Sequence, residues 1–256
     1  MSVTLINYLP GIGMLAVGIG AILLWFLLKG KKPAYFGYFV LGAIFWTIAI
    51  IPKYAMDYTI TAGFESTLVS SLPILAAVII IALYFGLRTG FFESGFTYLI
   101  IKYFRRYIGP PKMGFNEAVA LGIGFGGFEA IFLGSQWFMG IGPLLMSPLD
   151  PTSYLGVWER LFTLFCHVFA VVLVVYAVKL NDRRWLWLSI AYKSVLDGSL
   201  ILFLYFLGTG LNSTYIIEAF VAILGMAGLI GLYWIDKNYG GGAPGASKAG
   251  DPHSGN

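Results

Sequence analysis

Residues 122–134 read GIGFGGFEAIFLG, an apolar, glycine-rich run with a single carboxylate, Glu129, set inside it. Small residues let helix backbones approach closely in a bilayer, and Gly122 and Gly126, with Gly127 beside them, have the spacing of a helix-packing motif. Packing accounts for the glycines but leaves the carboxylate unexplained. An ionised group at the bilayer centre costs at least about 2.5–3.5 kcal/mol, so such groups face partners or a wet cavity. Glu129 is therefore the first place to look for function.

The rest of the chain makes the bilayer the right setting. Of 256 residues, 59% are hydrophobic and 11% charged, and the mean hydropathy is +0.83. That is too little polar surface to clothe a soluble particle of this size. A crossing helix needs about 20 mostly apolar residues. Segments near Leu9–Leu28, Tyr35–Ile51, Val69–Leu87, Glu117–Gly140, Val157–Val178, Trp185–Leu207 and Tyr215–Ile235 predict an all-α, polytopic bundle with about seven crossings. No alternating ten-residue strands suggest a barrel. The first segment is followed by Lys29, Lys31 and Lys32 without a small-residue cleavage site, which predicts a retained helix rather than a signal peptide. The one cysteine, Cys166, excludes an internal disulfide.

Basic residues cluster at Lys29–Lys32, Lys102–Lys112, Lys179–Arg184 and Lys237. Their place beside membrane segments fits topology and lipid headgroups, and argues against a nucleic-acid partner. With every cluster in the cytoplasm, the N-terminus lies outside and the C-terminus inside, in the plasma membrane. This alternation closes only if Leu68–Tyr107 is a single crossing. Forty residues of helix would span about 60 Å, so the second half has to project into the cytoplasm or run along the interface, with Gly86, Gly90 and Gly95 as possible breaks. The competing count is eight membrane segments, one of them re-entrant. Residues 1–238 are expected to form one transmembrane domain. Residues 239–256, rich in glycine and small residues and containing His253, are expected to form a flexible cytoplasmic tail. No internal repeat points to a transporter made of duplicated halves.

Within or near the spans lie Glu93, Glu129, Glu159, Arg160, His167, Lys193, Asp197 and Glu218. Lys193 and Asp197, four apart, share a helix face and can pair locally. Glu159, Arg160 and Glu218 sit near predicted helix ends, where an interfacial place is expected. His167 can donate a structural hydrogen bond as readily as it can ligate a metal. Phosphate-loop, zinc-protease and serine-hydrolase signatures are absent.

The stretches GFGGFEAI, WERLFTLFCHV and SIAYKSVLD, in this order, give the chain a resemblance to the YhfC-type intramembrane proteases over roughly residues 35–236. That family is grouped with the CAAX-processing and PrsW proteases and with the non-catalytic anterior-pharynx-defective subunit of gamma-secretase. The resemblance implies a paired-glutamate motif, a Gly-His-Gly-Gly-x-Glu segment, a Glu-Arg helix with a histidine, and a final His-x-x-x-Asp. It also implies water activated by glutamate, with or without a metal held by histidines.

Against that pattern Glu93 keeps the first glutamate, but Ser94 replaces the second and Thr97 the arginine. Glu129 is kept, while Phe125 stands at the histidine position; Glu159, Arg160 and His167 are intact; Lys193 replaces the last histidine, ahead of Asp197. Phenylalanine can neither ligate a metal nor carry a proton, and an ammonium has no lone pair. These departures lead to the expectation of a chain without a metal or other cofactor and without catalysis. In it Glu93, Glu129, His167, Lys193 and Asp197 form a buried polar network, and the protein acts as a scaffold for other integral membrane subunits amid membrane lipids. The alternatives are a peptidase using Glu129 or Glu93, and a transporter or channel subunit.

Overall fold

The computed structural model describes residues 8–30, 32–108, 113–139 and 152–240. These residues are helical, without strands among them, and seven helices are long and apolar enough to cross a membrane. They are α1 (Leu9–Lys29), α2 (Pro33–Ser71), α3 (Ile74–Tyr103), α4 (Phe115–Phe138), α5 (Ser153–Lys179), α6 (Arg183–Leu207) and α7 (Leu211–Tyr239). The tail expected from residue 239 lies, from 241 onward, outside the described residues.

Two segments differ most from expectation, and each contains a π-helical stretch. The second crossing does not stop at Ile51: α2 continues through Pro52 and through a π-helical turn at Asp57–Thr61 as far as Ser71. Its 39 residues span about 58 Å, nearly twice the hydrocarbon thickness. The polar last third, from Asp57 on, is the part that has to stand outside. Arg88 of α3 pairs with Asp57, and the hydroxyls of Thr61 and Tyr84 meet at 3.0 Å, so this projection is tied to its neighbour. The stretch Leu68–Tyr107 resolves into the end of α2 and the single helix α3. The expected break points in α3 are not breaks, because the helix widens into a π-helical stretch at Gly90–Gly95 and carries on. Such a widening inserts a residue and re-aims the side chains after it. No re-entrant segment occurs among the described residues.

The core is built around α4, and its glycines explain how. A Cβ on Gly122 would lie 2.7 Å from Val168 Cα, and one on Gly126 would lie 2.8 Å from His167 Cβ, so this face touches α5 at backbone distance. A Cβ on Gly124 would lie 2.6 Å from Phe39 Cα on α2, and Gly127 faces Gly18 on α1. Successive helix residues turn by about 100°, so glycines at 122 and 126, at 124, and at 127 point to three neighbours. Around this hub, α3 packs on α6 through Gly86, Gly90 and Gly198, and α7 packs on α5 through Gly225, Gly228 and Gly231. Phe45, Phe125, Leu121 and Val172 to Val175 fill the interior. Alternate crossing gathers the basic helix ends on one face. There Tyr176, Trp185, Trp234 and Tyr239 stack together, and Lys179 donates to the Met113 carbonyl at 3.5 Å.

Candidate functional site

Five helices deliver charged or polar groups to one level of the bundle. From α3, the π-helical stretch turns Glu93 inward, where it is 5% exposed. Its Oε1 accepts from Lys53 Nζ of α2 at 2.7 Å, and Lys193 Nζ of α6 stands 2.6 Å from its Oε2. Lys53 and Lys193 are both buried, at 8% and 2% exposure. Charges held out of water in this way need close counter-charges, and Glu93 supplies one to each lysine.

Glu129 of α4 has three partners. Arg160 of α5 donates to Oε1, while Trp46 Nε1 of α2 and His167 Nε2 of α5 each approach Oε2 at 2.8 Å. Arg160 donates to Glu159 as well. Lys193 Nζ lies 2.9 Å from His167 Nδ1, which joins the two glutamate centres. An ammonium is a donor only, so Nδ1 accepts and the ring proton sits on Nε2, directed at Glu129. The resulting chain of contacts runs Asp197, Lys53, Glu93, Lys193, His167, Glu129, Arg160, Glu159.

Several sequence expectations change here. Lys193 and Asp197 are not a local pair: Lys193 binds Glu93 and His167, whereas Asp197 accepts from Thr89 and lies 3.9 Å from Lys53. Arg160 is not at a helix end. Helix α5 begins several residues before Val157, which places Arg160 two turns in, buried at the site. Glu218 is buried too, and its Oε2 has no hydrogen-bond partner. Sequence reasoning missed Lys53 and Trp46. Lys53 follows Pro52 and looked like the end of a helix, although a lysine next to twenty apolar residues was itself a signal.

Glu93, Glu129, Glu159, Arg160, His167, Lys193 and Asp197 line a cavity of about 130 Å³ together with Lys53 and Trp46. At roughly 30 Å³ per water, it has room for a few molecules. Asp197 and Glu159 are its more exposed members. On the other side of Glu93 and Lys193, Phe125, Val171 and Val174 leave a void of only about 10 Å³.

The donors present do not suit a metal ion. Among the described residues His167 is the one imidazole, and both its nitrogens are engaged, Nδ1 by Lys193 and Nε2 by Glu129. The ring of Phe125 lies 5.2 Å from it, where the resemblance implies a second histidine. Each glutamate is already held by cations. Among the described residues no group of three or more His, Cys, Asp or Glu side chains is arranged to hold a metal.

No curated protein and no solved structure matches the chain. The profile of the YhfC intramembrane metalloprotease family matches residues 13–140 and 144–221, which spans every group of the site. With seven apolar helices and a family match that covers most of its length, this multi-pass membrane protein belongs to the YhfC intramembrane metalloprotease family.

Proposed function

We infer that the chain is a non-catalytic member of its family, a membrane scaffold in which the inherited active site serves as a fixed ion-pair network between helices. The observation that carries this reading is that both inward glutamates and the imidazole are tied up in ion-pair contacts. Glu93 lies between two ammonium ions, Glu129 is held by Arg160, Trp46 and His167, and the imidazole has no nitrogen left. Proton abstraction from water by either glutamate has to compete with these contacts. The site also lacks the donors for the metal in the family's name, so no step is routed through one.

Buried ion pairs need add no net stability over an apolar core, but they can specify register between helices. With the catalytic groups committed in this way, the protein's use lies in what it packs against, which we take to be other integral membrane subunits. The Lys- and Arg-rich face lies in the cytoplasm by the charge rule for short loops, which puts the N-terminus outside, in the plasma membrane.

The cavity beside Glu129 favours a second reading, a peptidase with a rearranged site, because it brings water-sized space to both glutamates. One experiment separates the two. The protein is purified to homogeneity from native membranes in mild detergent, its co-purifying subunits are identified, and it is incubated with membrane-spanning peptides. The scaffold reading expects stoichiometric partners and no cleavage. Cleavage that is abolished by Glu129→Gln, or a protein that purifies without any partner, overturns it.

A further inference from the structure

Away from the polar site, a groove of about 410 Å³ opens between α1 and α7, with α4 and α5 as its floor. Leu24, Ile123, Val168 and Leu229 give it apolar walls. In a bilayer any such groove fills with hydrocarbon, so its shape alone selects nothing. The polar groups at one end do select. Trp25 Nε1 is buried at the groove and has no hydrogen-bond partner. Lys29 Nζ stands over the same indole ring, 5.5 Å from its centroid. Asp236, from α7, lines the mouth as well.

Among the described residues, no carboxylate comes within ion-pairing distance of Lys29 and no cation within that distance of Asp236. All three groups lie where the basic helix ends gather, beside an apolar slot, and charged helix ends of this kind are expected at headgroup level. A purely anionic headgroup would be attracted by Lys29 and repelled by Asp236. One carrying both a phosphate and an amine complements the pair.

We propose that this groove is a binding site for one amine-bearing phospholipid. An alkyl chain occupies the slot, the phosphate rests on Lys29, the amine on Asp236, and the Trp25 N–H donates to an oxygen of the ester or phosphate. The orphaned indole donor then has its acceptor, and α1 is joined to α7 through the lipid.

The test uses the full chain, stripped of lipid by detergent exchange and offered phosphatidylethanolamine, phosphatidylglycerol or a phosphate-free glycolipid with the same chains. Native mass spectrometry counts the lipid retained. One phosphatidylethanolamine per chain is expected, with less phosphatidylglycerol and little glycolipid. Lys29→Ala combined with Trp25→Phe should lower retention about tenfold, the ratio that corresponds to ~1.4 kcal/mol for a charge-assisted contact. Asp236→Asn should remove the preference between the two phospholipids. Ala21→Trp fills the slot and should abolish retention, while Leu83→Trp, at the separate α3–α6 groove, should not change it. Equal retention of all three lipids, or wild-type retention by the Lys29/Trp25 double variant, overturns the proposal. Displacement of the lipid by inorganic phosphate also overturns it, because the site would then be one for the free anion.

Discussion

Glu93→Gln is the sharpest test of the ion-pair network, because one carboxylate serves two buried lysines. The substitution keeps the volume, removes the charge and turns one oxygen into an amide that points donors at an ammonium. The amide oxygen that remains can accept from one lysine but carries no charge, so the nearest other groups are Asp197 for Lys53, at 3.9 Å, and His167 Nδ1 for Lys193, at 2.9 Å. Removing one partner of a buried pair costs about 3–5 kcal/mol, because the charge left behind is uncompensated. A chain of this size loses about 2–4 °C of melting temperature per kcal/mol, so the transition should fall by about 6–20 °C. Tryptophan fluorescence followed during heating in a mild detergent measures it. The companion variant Glu93→Gln with Lys193→Met removes the stranded ammonium and should recover at least half of the loss, since replacing both partners is far milder than breaking the pair. A single variant that melts within about 2 °C of wild type, or a double variant as damaged as the sum of the two singles, would refute the reasoning.

Gly124→Val should prevent assembly of the bundle, because its Cβ would lie 2.6 Å from Phe39 Cα, whereas Gly95→Ala, where a Cβ meets nothing within 4 Å, should be neutral or slightly stabilising; monodisperse yield by fluorescence-detected gel filtration compares them. Trp46→Phe removes the indole donor to Glu129 and should cost about 1.5–3 kcal/mol, the range for a hydrogen bond to a charged group. Metal analysis should find no stoichiometric zinc in the wild-type protein, while Phe125→His with Lys193→His, which places two imidazoles beside His167, should gain it. Stoichiometric zinc in the wild type would show that the engaged ring can be released.

The fold was legible where the chain is uniformly apolar and obscure where polarity enters a helix. Composition and segment length predict α1 and α4 to α7 closely, because a run of twenty apolar residues in a bilayer has to close its backbone hydrogen bonds within itself. They misplace the end of α2, since Pro52, Lys53 and Asp57 look like the start of a loop. A long helix tolerates a proline when its neighbours accommodate the lost bond, and here Lys53 is held by Glu93, forty residues further on. Glu93, Glu129, His167, Lys193 and Asp197 could be picked out because charge in a membrane segment is expensive, but their pairing could not. The partner of Lys193 proved to be on another helix rather than one turn away on its own. Arg160 was misjudged through a helix start set four residues too late, and Trp46 gave no sign, because an indole in a membrane helix looks apolar until a carboxylate faces it.

The glycine faces of α4 also bear on how the protein is made. Helices α1 and α2 leave the ribosome before α4 and stand next to each other in sequence, yet their backbones pack chiefly on α4 rather than on one another. Their small-residue surfaces, at Gly18 and Gly42, therefore stay unmatched in the bilayer until α4 has been synthesised and inserted between them. The network completes later still, because Lys193 and Asp197 arrive with α6. Throughout that interval Lys53 can have Glu93, which arrives with α3, but not Asp197, and the second oxygen of Glu93 waits for Lys193. The bundle thus has a period of vulnerability during translation, in which an insertion chaperone or an early-binding neighbour would have most to protect.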